Sequence, residues 1–133
     1  MARRLILDTG VLVGIEPAGK ALSFAPHDDV CIAAVTAAEL LQGVELADAR
    51  RRQGREDFVT AILAVVPVEE YGLDTARTHA RLLAHVRRAG KPRGAHDLMI
   101  AATAVATARA VVTRDRRAAF ADLPGVRIAE LGG

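Results

Sequence analysis

The sequence predicts a three-layer α/β/α domain with a central, mainly parallel sheet of four to five strands. Short apolar runs typical of strands alternate along the chain with stretches whose apolar residues recur at helical spacing. The apolar fraction is 51%, but with no Trp, one Tyr and three Phe the core must be built from Ala, Leu, Val and Ile. A length of 133 residues fits a single domain over residues 1–133.

The first predicted element is a short buried strand, Arg4–Leu7, which is followed at once by Asp8. Three apolar residues that are entered by a charge and left through Thr-Gly are typical of such a strand. Burying an unpaired carboxylate is unfavourable, so something cationic is expected to face Asp8. Val11–Ile15 then predicts a short helix that ends at Pro17.

A second buried strand is predicted at Val30–Val35, and Thr36 opens a helix that runs to about Ala47. Arg50–Arg52, together with Gly54, are expected to break this helix. A further helix follows, because apolar residues recur on one of its faces. These are Phe58, Ala61, Ile62 and Val65.

Val65–Val68 predicts a third strand at the sheet edge, since it contains Pro67. Asp74 is expected to cap a long helix that runs to about Ala89 and precedes a loop, Gly90–Gly94. The predicted inner stripe of this helix is Ala76, Ala80, Leu83 and Val86.

The last part of the chain predicts an Ala-rich helix, Ala95–Ala108, and a strand, Arg109–Thr113. A short helix, Arg116–Leu123, and a final strand, Val126–Ile128, complete the pattern. Strands that are separated by helices imply crossover connections and hence parallel pairing. In such sheets, ligands collect at the carboxyl ends of the strands.

The composition excludes several classes of protein and favours one that binds phosphate groups. Lys plus Arg exceed Asp plus Glu by 18 − 16 = +2, and most of the cations are Arg, which binds phosphate oxygens in a forked geometry. Cys31 has no partner cysteine, which excludes an intramolecular disulfide and a thiolate metal site. No segment resembles a signal peptide or reaches the roughly 20 apolar residues of a membrane helix. We therefore expect a cytoplasmic protein without a membrane partner.

Four acids are expected at the carboxyl edge of the sheet. Each has a simpler explanation, since Glu39 completes a capping box with Thr36, Asp97 favours a helix start, and Asp115 can cap the final helix. If they converge instead, two carboxylates 4 Å apart repel by about 4 kcal/mol at an effective dielectric near 20, so a divalent cation is required. Oxygen ligands without a His or Cys cluster favour Mg²⁺ or Mn²⁺. The four acids are Asp8, Glu39, Asp97 and Asp115.

A hard metal at such an edge suits phosphodiester hydrolysis. Thr9 and Thr113 are placed to hydrogen-bond the carboxylates or the attacking water, or alternatively to cap strand ends. Four segments, in this order, resemble the PIN domain and, within it, the VapC-type toxins of bacterial toxin–antitoxin pairs. They are Leu7–Leu12, Thr36–Leu40, His96–Ala102 and Val112–Asp115.

The resemblance implies a metal-dependent endoribonuclease with Asp8, Glu39, Asp97 and Asp115 as its acidic quartet. It also implies a homodimer and a VapB-type antitoxin that covers the site. Many relatives carry Ser or Asn two residues after the first Asp, where this chain has Gly10. The hydroxyls are therefore expected from Thr9 and Thr113, and His96 is expected to be a helix-start residue rather than a base.

Basic residues suggest where the RNA lies. The long helix carries a cationic stripe of Arg77, Arg81, His85 and Arg88, which is also consistent with a solvated face. Few aromatics are available for base stacking, so structured RNA is the expected substrate. The hairpin at Arg50–Arg55, with Leu41, Leu46 and Phe58, is the candidate partner contact. The RNA-binding candidates are Arg77, Arg81, Arg88, Arg93 and Arg114.

Other readings are open. Asp8-Thr9-Gly10 also resembles the triplet of aspartic proteases, but those enzymes need a β-rich chain. A phosphotransfer or phosphatase domain would want a lysine near the site, whereas Lys20 and Lys91 fall in predicted loops. A housekeeping PIN-type RNA-processing nuclease without an antitoxin, and a non-catalytic PIN-like binding module, are the remaining alternatives.

Overall fold

The computed structural model describes residues 2–15, 27–114 and 119–130, with the backbone alone for 13–15. Pro17, Asp115 and the start of the predicted 116–123 helix lie outside these residues. The strands are β1 (Arg4–Leu7), β2 (Asp29–Ala33), β3 (Val68–Glu69), β4 (Ala110–Val112) and β5 (Arg127–Ala129). The helices are α1 (Thr9–Ile15), α2 (Ala34–Leu46), α3 (Arg52–Val65), α4 (Leu73–Ala89) and α5 (Ala95–Ala106).

The five strands form one sheet in the order β3-β2-β1-β4-β5, and every pairing is parallel. In this register Leu5 pairs with Val30 of β2, and Leu7 pairs with Val112 of β4. Because β1 is the middle strand, helices cover both of its faces, and its three apolar residues are at most 1% exposed. The predicted parallel α/β/α fold is confirmed.

Side chains that alternate along β1 enter two separate hydrophobic clusters. Ile6 belongs to a cluster with Leu82 of α4 and Leu98 of α5. Leu5 and Leu7 belong to the other, in which Leu40, Val44 and Val59 of α2 and α3 also pack. The small side chains Ala101, Ala102 and Ala104 let α5 pack closely, as the composition predicts.

Several helix starts differ from the prediction. α2 begins at Ala34 rather than Thr36, and its N-cap, Ala33, has no side-chain cap. Gly54 lies inside α3 rather than in a break, because the chain turns earlier, at 47–51. The N-cap of α4 is Gly72, so Asp74 is a first-turn acid rather than the cap.

The buried face of α4 also differs from the predicted stripe. Thr75, Thr78 and Leu82 are buried, whereas Leu83 is 47% exposed. Two threonines lie on the inner face, so apolar spacing alone selected the neighbouring face of the helix. Val86 does lie on the inner face, as predicted, since it packs against the cluster that contains Ile6, Leu82 and Leu98.

The remaining elements position the edges of the sheet. β3 begins at Val68, directly after Pro67, and lies at the predicted edge. After β4, the described chain forms a 3₁₀ turn at Phe120–Asp122 rather than an α-helix. Since α5 leads into the start of β4, its own N-terminus lies at the carboxyl edge of the sheet. No helix in the described ranges is both long and apolar enough to cross a membrane.

Candidate active site

Asp8 lies where β1 ends, and it is only 6% exposed. Its backbone N–H donates to the carbonyl of Val112 at 2.9 Å, which fixes it beside the end of β4. The Thr113 hydroxyl donates to Asp8 Oδ2 at 2.8 Å. A hydrogen bond to the ionised form of a carboxylate favours that form, so a donor from another strand end stabilises this buried acid.

Glu39, on α2, is held by residues from other elements. The Thr9 hydroxyl donates to Glu39 Oε1 at 2.9 Å, and Thr9 Oγ1 lies 3.3 Å from the Thr36 hydroxyl. A hydroxyl has one proton, so while Thr9 donates to the carboxylate, Thr36 must be the donor to Thr9. The capping-box explanation for Glu39 is therefore wrong, because Thr36 is buried inside the helix and serves this chain of hydroxyls.

Asp97 occupies the first turn of α5, next to His96. Its carboxylate folds back over the helix start, since a Cβ placed on Gly94 would lie 2.9 Å from Asp97 Oδ2. His96 Nδ1 lies 3.6 Å from Glu39 Oε2, which joins the start of α5 to α2. An open cleft of about 340 Å³ is lined by residues 94–97.

The structure thus gathers the segments of Asp8, Glu39 and Asp97 at one edge, through hydroxyl and imidazole contacts between distant parts of the chain. Asp115 lies outside the described residues. Within residues 2–15, 27–114 and 119–130, no three His, Cys, Asp or Glu side chains are grouped to hold a metal ion. The convergence of all four carboxylates on an ion remains a prediction.

The donor atoms at this edge suit the metal that the sequence implies. Every acid at the edge offers oxygen, the donor type that Mg²⁺ and Mn²⁺ prefer. Mg²⁺ commonly binds through one or two carboxylates together with waters and substrate phosphates, so it does not need a protein cage. The described residues fit an ion that is held in this open way.

The cationic candidates separate into two kinds. Arg77, Arg81, Arg88 and Arg114 are exposed. The side chain of Arg93 is 14% exposed; it donates to the carbonyl of Ala119 at 3.2 Å and lies 3.7 Å from Asp122. Arg93 is therefore largely engaged within the fold, where it joins the loop before α5 to the segment after β4.

Two residues near the acids are not predicted from the sequence to be part of the site. Thr36 lies one helical turn before Glu39, and i, i+3 spacing was an available signal that the two share a face. His96 was assigned to the helix start alone, but its ring faces Glu39. No sequence signal pairs His96 with an acid on another helix, so that contact needed the structure.

Comparison with known proteins places these features in context. The profile of the PIN domain family matches residues 5–126. Ribonuclease VapC5 of Mycobacterium tuberculosis is 33% identical over 129 residues, which cover 95% of this chain and 92% of that protein. The tRNA(fMet)-specific endonuclease VapC of Salmonella typhimurium is 34% identical over 101 residues, or 74% of this chain and 73% of that protein.

Solved structures give the same picture. DNA-bound VapBC from Salmonella typhimurium superposes with a TM-score of 0.84 at 26% identity, covering 99% of this chain and 100% of that one. VapBC-5 from Mycobacterium tuberculosis superposes with a TM-score of 0.76 at 28% identity, covering 98% of each chain.

Proposed function

Since the chain belongs to the PIN domain family and, within it, to the VapC-type ribonucleases, we propose that it is a Mg²⁺- or Mn²⁺-dependent endoribonuclease. It would act as the toxin of a VapBC-type toxin–antitoxin pair and cleave structured RNA. The site residues in this proposal are Asp8, Glu39, Asp97 and Asp115, supported by Thr9 and Thr113.

One observation carries the assignment of the site. The Thr113–Asp8 bond joins residues 105 positions apart, and the Thr9–Glu39 bond joins residues 30 positions apart. Helix caps satisfy amides of their own helix, whereas these carboxylates accept hydroxyl protons from other segments. This pattern supports a shared site at the strand ends over separate structural caps.

In the proposed reaction, a water attacks phosphorus in line and loses a proton to solvent, while the P–O3′ bond breaks and O3′ takes a proton from solvent, leaving a 5′-phosphate and a 3′-hydroxyl. A Mg²⁺ or Mn²⁺ ion, when bound, would supply the positive charge for activating the water and neutralising the leaving oxygen. The carboxylates of Asp8, Glu39, Asp97 and Asp115 would hold it. Thr113 and Thr9 fix the orientations of Asp8 and Glu39, and the exposed Arg77, Arg81, Arg88 and Arg114 would bind phosphates, with Arg93 supporting the loop.

The test is cleavage of a structured RNA by the wild type and by Asp97→Asn, each with Mg²⁺ or Mn²⁺ and with a chelator. We expect cleavage by the wild type that the chelator abolishes, and none by Asp97→Asn. Mapping the product ends checks for the 5′-phosphate. Equal activity of the two proteins, or activity that survives the chelator, would contradict the proposal.

The proposed partners are a VapB-type antitoxin and a second copy of the chain. Large apolar side chains remain exposed on the outer helices, and exposed apolar patches commonly mark interfaces. In the predicted hairpin contact, Leu41 and Leu46 are 48% and 77% exposed, whereas Phe58 is half-buried and packs against the core. The hairpin therefore offers the two leucines, but not Phe58, as a partner surface.

A further inference from the structure

A cavity of about 290 Å³ lies between the end of α4, the loop that follows it and the 3₁₀ turn. We call it the α4-end pocket. Val86 and Leu123 contribute apolar surface, and its polar lining consists of His85, Lys91, Arg93 and Asp122. Two permanent cations and a histidine therefore surround it with a single acid.

The position of the pocket relates it to the proposed active site. The loop that carries Lys91 and Arg93 leads directly into α5, where Asp97 and His96 stand. Arg93 also contacts Ala119, in the chain that follows β4. The pocket thus flanks the carboxyl edge of the sheet.

The cationic stripe of α4 runs into this pocket. Arg77, Arg81 and His85 follow one another at i, i+4 spacing, so they share one exposed face of the helix. His85 is the member of the stripe that also lines the cavity. A polyanion that follows the stripe is therefore led to the pocket.

From this arrangement we infer that the α4-end pocket binds a backbone phosphate of the RNA, next to the nucleotide that is cleaved. The inference rests on the proposed ribonuclease function. Lys91 is the exposed cation that contacts the phosphate, and Arg93 forms the charged wall, held in place by the carbonyl of Ala119. His85 adds a ring N–H donor.

Asp122 reduces the positive charge of this site. Its carboxylate is 73% exposed and lies 3.7 Å from Arg93 Nη2, so it offsets part of the positive charge that a phosphate would meet. Its removal should strengthen RNA binding. A substitution that damaged the fold would weaken binding, so the sign of this effect separates the two explanations.

The experiment measures the binding of a labelled RNA hairpin by fluorescence anisotropy, with a chelator present to prevent cleavage. Lys91→Ala should weaken binding about two- to fivefold. It should also lower the slope of log affinity against log salt by about 0.7 to 0.9, the loss of one phosphate contact. Asp122→Asn should tighten binding by a similar factor.

Arg87→Ala is the matched control, because Arg87 is an exposed cation in the last turn of α4 that does not line the pocket. It should leave the salt slope unchanged. Equal effects of Lys91→Ala and Arg87→Ala, or no gain from Asp122→Asn, would overturn the inference.

Cleavage kinetics separate this inference from the function on which it rests. With metal present, Lys91→Ala should raise KM and leave kcat unchanged. If the wild type does not cleave RNA at all, the proposed function fails. If it cleaves, but the Lys91 and Asp122 variants bind and cleave as the wild type does, only the pocket assignment fails.

Discussion

Glu39 accepts a hydrogen bond from the Thr9 hydroxyl at Oε1, Thr9 in turn contacts the Thr36 hydroxyl, and Glu39 Oε2 faces the imidazole of His96. Thr9→Val keeps the side-chain volume but removes the donor to Glu39 Oε1. Residues that orient a metal-binding carboxylate typically change activity or metal affinity about 10- to 100-fold when they are lost. We expect Thr9→Val to lower kcat and raise the Mg²⁺ concentration needed for half-maximal activity.

Thr9→Ser is the matched control for this positioning role, because it restores the hydroxyl and should recover most of the activity. A merely structural defect would lower the melting temperature and leave the Mg²⁺ requirement unaltered. That combination, or a Ser variant as impaired as the Val variant, would contradict the positioning role of Thr9.

Gly94 gives a second way to move an acid without removing it. Its φ of −59° and ψ of 136° are allowed for alanine, but the added methyl would lie 2.9 Å from Asp97 Oδ2. Because a carboxylate tip can rotate away, Gly94→Ala should displace the Asp97 carboxylate at little cost in stability. We expect the rate of RNA cleavage to fall at least about tenfold, with a melting temperature near that of the wild type.

Gly54→Ala is the control for glycine replacement as such, because a Cβ there would meet no atom within 4 Å. It lies inside α3, where Ala is a better helix former than Gly, so stability should rise slightly and activity should not change. Wild-type activity in Gly94→Ala would show that the position of the Asp97 carboxylate is not critical.

For the individual side chains, the positions of the acids were predictable from the sequence, but their contacts were not. Asp8 and Glu39 follow from strand ends and helix starts, which are local signals. Which hydroxyl reaches which carboxylate depends on packing between segments, and Thr36 was therefore assigned to a helix cap. The His96–Glu39 contact joins two helices and has no local signature.

Among the secondary-structure elements, Arg109 links three strands. Its guanidinium donates to the Leu5 carbonyl of β1, to the Asp29 carbonyl and carboxylate of β2, and to Glu69 of β3. The side chain is 5% exposed, and Nε has no hydrogen-bond partner among the described residues. Burial lowers the pKa of Arg109, but its hydrogen bonds with Asp29 and Glu69 outweigh burial, so the pKa is raised above its ordinary value and the cation is favoured.

Removing this cation should leave its hydrogen-bond acceptors without their donor. Arg109→Met should lower the free energy of unfolding by about 3 kcal/mol, measured by urea denaturation, because two carboxylates and two carbonyls lose a donor. Asp29 still pairs with Arg4 at 2.8 Å, which keeps the loss at the lower end of the range for buried pairs. Arg127→Met is the control, because the exposed Arg127 makes one hydrogen bond within the described part of the chain, and it should change stability by less than about 0.5 kcal/mol. A loss below about 1 kcal/mol for Arg109→Met would contradict this account.

The elements themselves were mostly predictable because their apolar periodicity is strong. β1, β2 and α5 are recognisable because most of their residues are apolar. The predicted inner face of α4 is displaced by about one position from the observed one. The reason is that Thr75 and Thr78 are buried, although their hydroxyls make them polar in a sequence pattern. The hydrogen bonds of Arg109 could not be predicted, because a charged residue at the start of a strand is normally exposed to solvent.

For the whole molecule, the like charges at the carboxyl edge predict how stability responds to metal. Asp8→Asn should leave the metal-free protein as stable as the wild type or more stable, since one repulsive charge is removed and the amide oxygen still accepts from Thr113. Turnover should be abolished. Thermal unfolding with a chelator measures the first effect, and a clear loss of stability would show that Asp8 is a structural cap.

Mg²⁺ should raise the melting temperature of the wild type, because an ion that binds only the folded state stabilises it by mass action. At about 100 times the Kd, the shift should be about 5–10 °C. Asp8→Asn should lose most of this shift. Asp57→Asn, on the exposed face of α3, is the control and should keep it. The absence of a shift at millimolar Mg²⁺ would contradict a preformed site.

The strand order also determines when the candidate site can form during synthesis. β1 is translated first, but it occupies the middle of the sheet and gains its β4 neighbour only after about a hundred further residues have been added. A nascent chain that contains Asp8 but ends before β4 still lacks Thr113 and the two strands β4 and β5. A chain that ends before β4 therefore cannot form the Thr113–Asp8 bond, so the proposed site can be completed only late in synthesis.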